Sequence, residues 1–393
     1  MKLGIVSGPR YYRVIDQYYT STSFHAEMWK ECLEVFDEVV IADRVVYTDK
    51  VETGQKPVLA DGITFFEMPS FKGALSLGKT VPRMFWRAKK AIRQADVWHL
   101  HCPNFVSLCM WFWARYYKVP YSVELRGYCA VNAIYLKLRG LKFPRFTAAF
   151  MRFLLNLELS RPLAVVGVSK SLIRDFPPGN GCPTFAISDN RVPETSYRHA
   201  RLWQNDSRSR TIVSLGSLEA IKNPFGIIRS LHLLTQKGFT NWKFVWIGDG
   251  PLKGEAQQLA DQLGLSDCVN FLGFVPWNNV FDILKRADLY LLYSLSEGLP
   301  RALLEAMACA LPAIGSNVGG VSELLHENDI VPSLDDEMLA DKLYEVITDP
   351  KRLTEMSRRN LNIAKSYSAE ILSAQKIDFY ARIKSFITNE ENY

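Results

Sequence analysis

The sequence predicts an α/β protein built from two doubly wound parallel sheets. Three observations lead there. The 393 residues exceed one ordinary core and suit two domains of about 200 residues each. Short apolar runs alternate with amphipathic segments along the whole chain. A polar stretch at 189–210 separates two rounds of that alternation. Strand–helix alternation on this scale implies right-handed crossovers and parallel pairing.

In the first round the strand candidates are 2–7, 38–42, 96–101, 120–125, 163–168 and 184–188, with helical patterns near 24–36, 80–94, 104–117, 143–160 and 169–175. In the second round they are 211–215, 242–247, 269–272, 288–293 and 312–315, again with helices between. The expected division is a first domain over 1–190 and a second over 205–365. A terminal helix over 366–386, with periodic Ile371, Leu372, Ile377, Phe379, Tyr380 and Ile383, follows them.

Composition narrows the function classes. Apolar content of 48% and charged content of 22% are those of a folded globular chain. The opening "MKLGIVSG" reads as strand and turn rather than a signal peptide, and no window is apolar enough to span a bilayer. Seven cysteines lie scattered from Cys32 to Cys309 without C-x-x-C spacing, which fits free thiols in a reducing cytoplasm. Residues 71–174 hold 18 basic against 3 acidic residues, interleaved with aromatics in "MFWRAKKAIR" and "MWFWARYYK". That pattern suits peripheral contact with an anionic membrane, on its cytoplasmic face. It equally suits helices with apolar cores and solvated basic faces. No nucleic-acid-binding signature accompanies it, so no nucleic acid partner is expected.

Ligands of doubly wound sheets bind where strands end and helices begin. In the second half, "SLGSLEAIKNP" turns at Gly216, carries Ser217 and Lys222, and starts a helix with Asn223 as cap and Pro224 first. "WIGDGP" ends a strand with Gly248 and Gly250; "SEGLPRALLEAMA" turns at Gly298 and starts a helix at Pro300. Open helix amides beside a lysine suit a diphosphate. Glu297 reads as an ordinary charge at a helix start. Glu305 lies among Leu303, Leu304, Ala306, Met307 and Ala308, where a carboxylate needs donors from the protein or from a ligand such as ribose.

The run Glu297, Gly298, Pro300, Glu305, Ala306, Ala308, Pro312, Gly319, Gly320 and Glu323, preceded by Lys222, Gly248 and Gly250, resembles the donor-site signature of family 4 of the retaining glycosyltransferases (glycosyl transferases group 1), over most of 205–365. The resemblance implies the GT-B fold, two Rossmann-like domains facing across a cleft, with the terminal helix crossing back to the first. It implies a nucleotide-diphosphate sugar as donor and a lipid-linked or oligosaccharide acceptor in polysaccharide or glycolipid biosynthesis. Glu305 would hold the ribose, Glu297 face the sugar, and Lys222 with the amides around Leu299, Pro300 and Arg301 hold the diphosphate. The backbone near Phe274 would border the base.

The first half departs from the family pattern. His101, ending "DVWHLH", is the cleft-facing histidine candidate; Arg126 stands where a histidine is common; and "YYTSTSF", 18–24, with Ser21 and Ser23 on the acceptor side, replaces a glycine pair. Ser217 occupies a frequent arginine position, with Arg301 as substitute. No cofactor is implied, and the absence of D-x-D or clustered ligands leads to the expectation of metal-independent transfer. A sugar-nucleotide epimerase on the same scaffold and a non-catalytic nucleotide-sugar-binding module are the other readings.

Overall fold

The computed structural model describes residues 1–52, 54–71, 73–128, 131–138, 140–190, 192–204 and 208–388, without side chains at 73–75 and 77. Among the described residues the first half carries ten strands: β1 Lys2–Val6, β2 Arg10–Val14, β3 Gln17–Thr20, β4 Glu38–Tyr47, β5 Lys56–Pro57, β6 Ile63–Pro69, β7 Val97–Cys102, β8 Tyr121–Leu125, β9 Val165–Gly167 and β10 Thr184–Ala186. They form one sheet in the order β10-β9-β8-β7-β1-β4-β2-β3-β5, with β6 also on β4. The second half holds six parallel strands ordered β13-β12-β11-β14-β15-β16: β11 Arg210–Leu215, β12 Trp242–Ile247, β13 Val269–Gly273, β14 Leu289–Leu292, β15 Ala313–Ser316 and β16 Ile330–Val331.

Runs such as "VWHLHC" in β7 and "LYLL" in β14 are buried throughout, as parallel strands covered on both faces must be. Alternation along β7 sends Trp98 and Leu100 into one core with Met84 and Ala88. It sends His99 to the opposite face, where its ring lies 5.5 Å from Phe379 of the terminal helix Ala369–Thr388. That helix packs Leu372, Phe379, Tyr380 and Ile383 into the core of β1 and β4, and Lys384 Nζ donates to Val35 O at 2.6 Å.

Part of the polar stretch between the halves is docked rather than free-standing. Arg198 N donates to Ala308 O at 3.1 Å, Arg201 N to Ser357 Oγ and Trp203 N to Thr354 Oγ1, both at 3.0 Å. Residues 191 and 205–207 of that stretch lie outside the described residues. The chain returns to the first half at Ser368, which pairs with Val192 in an isolated parallel bridge, so the two crossings run side by side. A second tie spans the halves: the Glu323 carboxylate accepts from Lys170 N at 2.9 Å and Ser171 N at 2.7 Å, at the start of the helix Lys170–Asp175.

Elements absent from the sequence reading are the β2–β3 hairpin, β5, β6, β16 and the helix Ala133–Leu138. The hairpin places residues 18–20 of "YYTSTSF" in a strand and leaves Ser21–Phe24 as the segment that follows it.

Glu158 ends the helix Pro144–Glu158 fully buried, with Oε1 lacking a partner. Burial pushes its carboxyl from 4.5 up to about 8. Across that window the folded state holds a proton that the unfolded chain has released, so stability falls as pH rises. Glu158→Gln removes this slope: melting temperatures of variant and parent converge near pH 4, and the variant melts higher at pH 8. Parallel melting curves across this range count against the protonated carboxyl.

Candidate functional site

The carboxyl ends of β11 and β12, neighbours in the second sheet, build the floor. Gly216 has φ +152° and Gly248 φ +132°, and a Cβ on Gly248 would stand 2.1 Å from Gly216 O. Only glycine lets the two loops touch this way. Trp246 Nε1 donates to Gly216 O at 2.9 Å and fixes the turn. A short 3₁₀ turn, Ala220–Lys222, then hands over to the helix Pro224–Gln236, whose cap Asn223 accepts from Gly226 N at 3.3 Å. Lys222 runs back beneath Gly216 and donates from Nζ to Glu297 Oε1 at 2.6 Å.

Glu297 and Gly298 rest on the glycine pair. A Cβ on Gly319, at φ +52°, would lie 2.0 Å from Glu297 O, and Gly320 N donates to Gly298 O at 2.7 Å. Gly298 in turn abuts the first half: a Cβ there would stand 3.0 Å from Arg126 O. Pro300 caps the helix Arg301–Ala308 and has no N–H of its own, so the open donors are the amides of Arg301, Ala302 and Leu303, which precede the first helical bond from Leu304 N to Pro300 O.

One cavity of about 680 Å³ gathers Gly216, Ser217, Lys222, Gly248, Phe274, Glu297, Leu299, Pro300, Arg301 and Glu305. Gly250 is not among its walls. It packs on Leu218, where a Cβ would come within 2.5 Å of the carbonyl oxygen, and so serves the turn. Trp277, which the sequence reading missed, lines the cavity and donates from Nε1 to Glu305 Oε1 at 3.4 Å. Its signal was an indole beginning a helix, Trp277–Leu284, just after β13. Glu305 forms no ion pair among the described residues, and burial raises its pKa.

A second cavity of about 540 Å³ adjoins the first and shares Leu299 and Arg301 with it. Its other walls include Ser21, Ser23, Phe24, Arg126, Asp189 and Gly298. Arg126 lies over the Phe24 ring at 4.6 Å, donates to Glu124 Oε1 at 2.7 Å and pairs with Asp189. Burial opposes its charge, but Glu124 and Asp189 outweigh it and raise the pKa.

His101 lines neither cavity. It is buried below Phe24, ring centroids 5.4 Å apart, with Nε2 3.2 Å from Glu124 Oε2 and Nδ1 without a partner. Burial pushes its imidazole down to about 3, so the ring is neutral. His99, His101 and Glu124 place ligand atoms within 4.8 Å of one another, the metal-ligating spacing found among the described residues. Sequence reading saw no such cluster because Glu124 comes from the neighbouring strand β8. Its carboxylate already carries Arg126, a cation beside which a metal ion would have to sit.

The glycosyl transferases group 1 profile matches residues 199–362, the half that carries the larger cavity. Those residues are a glycosyl transferases group 1 domain. The chain is a glycosyltransferase, which selects transfer among the three readings. It is 25% identical over 383 residues to Protein CapJ of Staphylococcus aureus, covering 93% of this chain and 94% of that one. It is 32% identical to the amylovoran biosynthesis glycosyltransferase AmsK of Erwinia amylovora over 155 residues, 38% of each chain. Among solved structures, sucrose-phosphate synthase from Thermosynechococcus elongatus superposes with TM-score 0.70 at 14% identity, over 98% of this chain and 99% of that one. Anabaena HepE, in complex with UDP and glucose, gives 0.65 at 15%, over 99% and 100%. The glycosyltransferase thus has the GT-B fold, two Rossmann-like domains. Among the described residues, none of its helices is long and apolar enough to cross a membrane.

Proposed function

We propose that this glycosyltransferase moves a sugar from a nucleoside diphosphate to a lipid-linked or oligosaccharide hydroxyl, with retention of anomeric configuration, in polysaccharide or glycolipid assembly. The observation that carries the reading is the placement of Lys222, the helix start at Arg301 and Ala302 with its open amides, and Glu305 around one cavity. These are a cationic end for a diphosphate and an anionic acceptor for the paired hydroxyls of a ribose. The UDP complex of the HepE structure supports a nucleotide donor.

In this reading the bond between sugar C1 and the diphosphate oxygen breaks, and its electron pair goes to the phosphate. Lys222, Arg301 and the helix amides stabilise that charge, which is the larger part of the rate. The acceptor oxygen bonds C1 on the same face and its proton passes to the departing phosphate. Glu297, held by Lys222, faces the sugar. The positive charge comes from the protein, so the reaction proceeds without a divalent metal, on the cytoplasmic side where thiols such as Cys32 and Cys102 stay reduced.

A thermal-shift panel with UDP, GDP and ADP tests the donor assignment. At a hundredfold over its Kd the correct nucleotide adds about 2.7 kcal/mol of stability. Absence of a shift with all three removes the assignment.

A further inference from the structure

The helix Pro144–Glu158 turns Ala148, Leu155 and Glu158 inward. Its capping residue Phe143 and its Phe146, Phe150 and Phe153 follow one stripe at three- and four-residue spacing, yet they are 72%, 73%, 50% and 58% exposed. None of the four makes a ring contact among the described residues. A soluble domain rarely leaves so large an apolar surface uncovered without a partner for it. The strip continues through exposed Leu141, Leu138 and Ile134. Leu138 and Tyr135 then meet Ala220 and Ile221, in the turn that carries Lys222, around a cavity of about 160 Å³. The apolar strip therefore ends at the donor side of the cleft.

Charge selects the occupant. Between 131 and 161 the sequence has six basic residues and one acidic residue, and that one, Glu158, is buried. Lys137, Lys142, Arg145, Arg152 and Arg161 are all exposed. On a helical projection Arg145 and Arg152 fall together between the phenylalanine stripe and the buried edge at Ala148. Exposed aromatic side chains rimmed by cations match the interface of an anionic bilayer, with rings at the acyl boundary and cations at the headgroups. A second copy of this chain would bring the same cations face to face.

We propose that Phe143, Phe146, Phe150 and Phe153, with Lys142 and Arg145 at their edge, dock the protein on an anionic lipid bilayer. The docked face presents the surface beside Ile221 and Lys222 to the membrane. This deepens the transferase reading by naming where a lipid-linked acceptor is met, and it is tested without donor or acceptor.

Flotation of the full chain with phosphatidylcholine vesicles, with and without phosphatidylglycerol, is the experiment. The protein floats with the anionic vesicles and is released by salt. Phe146→Ser/Phe150→Ser lowers the bound fraction about tenfold or more, and Lys142→Glu/Arg145→Glu abolishes the preference for anionic lipid. Both variants alter exposed side chains, and their melting curves and nucleotide shifts stay those of the parent. The proposal is overturned if the parent ignores lipid charge, or if the phenylalanine variant floats as well as the parent. It is also overturned if the stripe holds a dimer that the serine variant dissociates while neither form floats.

Discussion

Lys222→Ala lowers the rate of sugar transfer about ten- to a hundredfold or more, the loss expected when a charge-assisted hydrogen bond of about 1.5–3 kcal/mol disappears from the transition state. The ammonium is 2.6 Å from Glu297 Oε1, so the substitution acts twice. It removes a positive charge from the departing diphosphate and leaves an unpaired carboxylate facing it. The loss appears in kcat as well as in donor KM, because charge on the phosphate grows as the bond breaks. Lys222→Arg recovers part of the rate. Steady-state kinetics with a nucleotide sugar decide the matter, and a variant that keeps the parental kcat removes Lys222 from the chemistry.

Glu305→Ala has the second large effect, and its signature is a pair of opposite signs. Burial raises the pKa of this carboxyl, so at neutral pH its charge costs the unliganded protein stability, and removing it raises the melting temperature. Donor affinity moves the other way. Losing a charged acceptor for two ribose hydroxyls raises the donor Kd about ten- to a hundredfold, with a smaller change in kcat. A residue kept only for packing would not trade stability for binding in this way. Equal nucleotide-induced shifts in parent and variant exclude the ribose role.

Much of the second half was legible because its signals are local. A parallel strand buried on both faces must be an apolar run, and the turns after β11 and β12 need glycine where backbones meet, as Gly216 and Gly248 do. Lys222 sits in the junction after β11, and Glu297, Arg301 and Glu305 in the one after β14, so reading those junctions gathered the cavity. The first half was less legible because its edge is held by partners distant in sequence. Tyr18 of the unread hairpin stacks on Phe65 of the unread β6 at 4.4 Å, and Arg13 pairs with Glu67 at 2.8 Å. "RYYRV" and "QYYT" therefore carry polar tips on both faces and lack the apolar alternation of a half-buried strand. Depth was also invisible: a histidine near the end of β7 could point into the cleft or below it, and only Phe24 and Arg126 above His101 decide which. Trp277 and the His99–His101–Glu124 group escaped for the same reason, since each is assembled across separate elements.

The side-by-side crossings at Val192 and Ser368 stitch both passages between the halves into one seam. Glu323, holding the Lys170 and Ser171 amides, is a further clasp between the halves. It lies just beyond the Gly319–Gly320 shelf that supports Glu297, so the clasp between the halves and the support of Glu297 belong to one short segment.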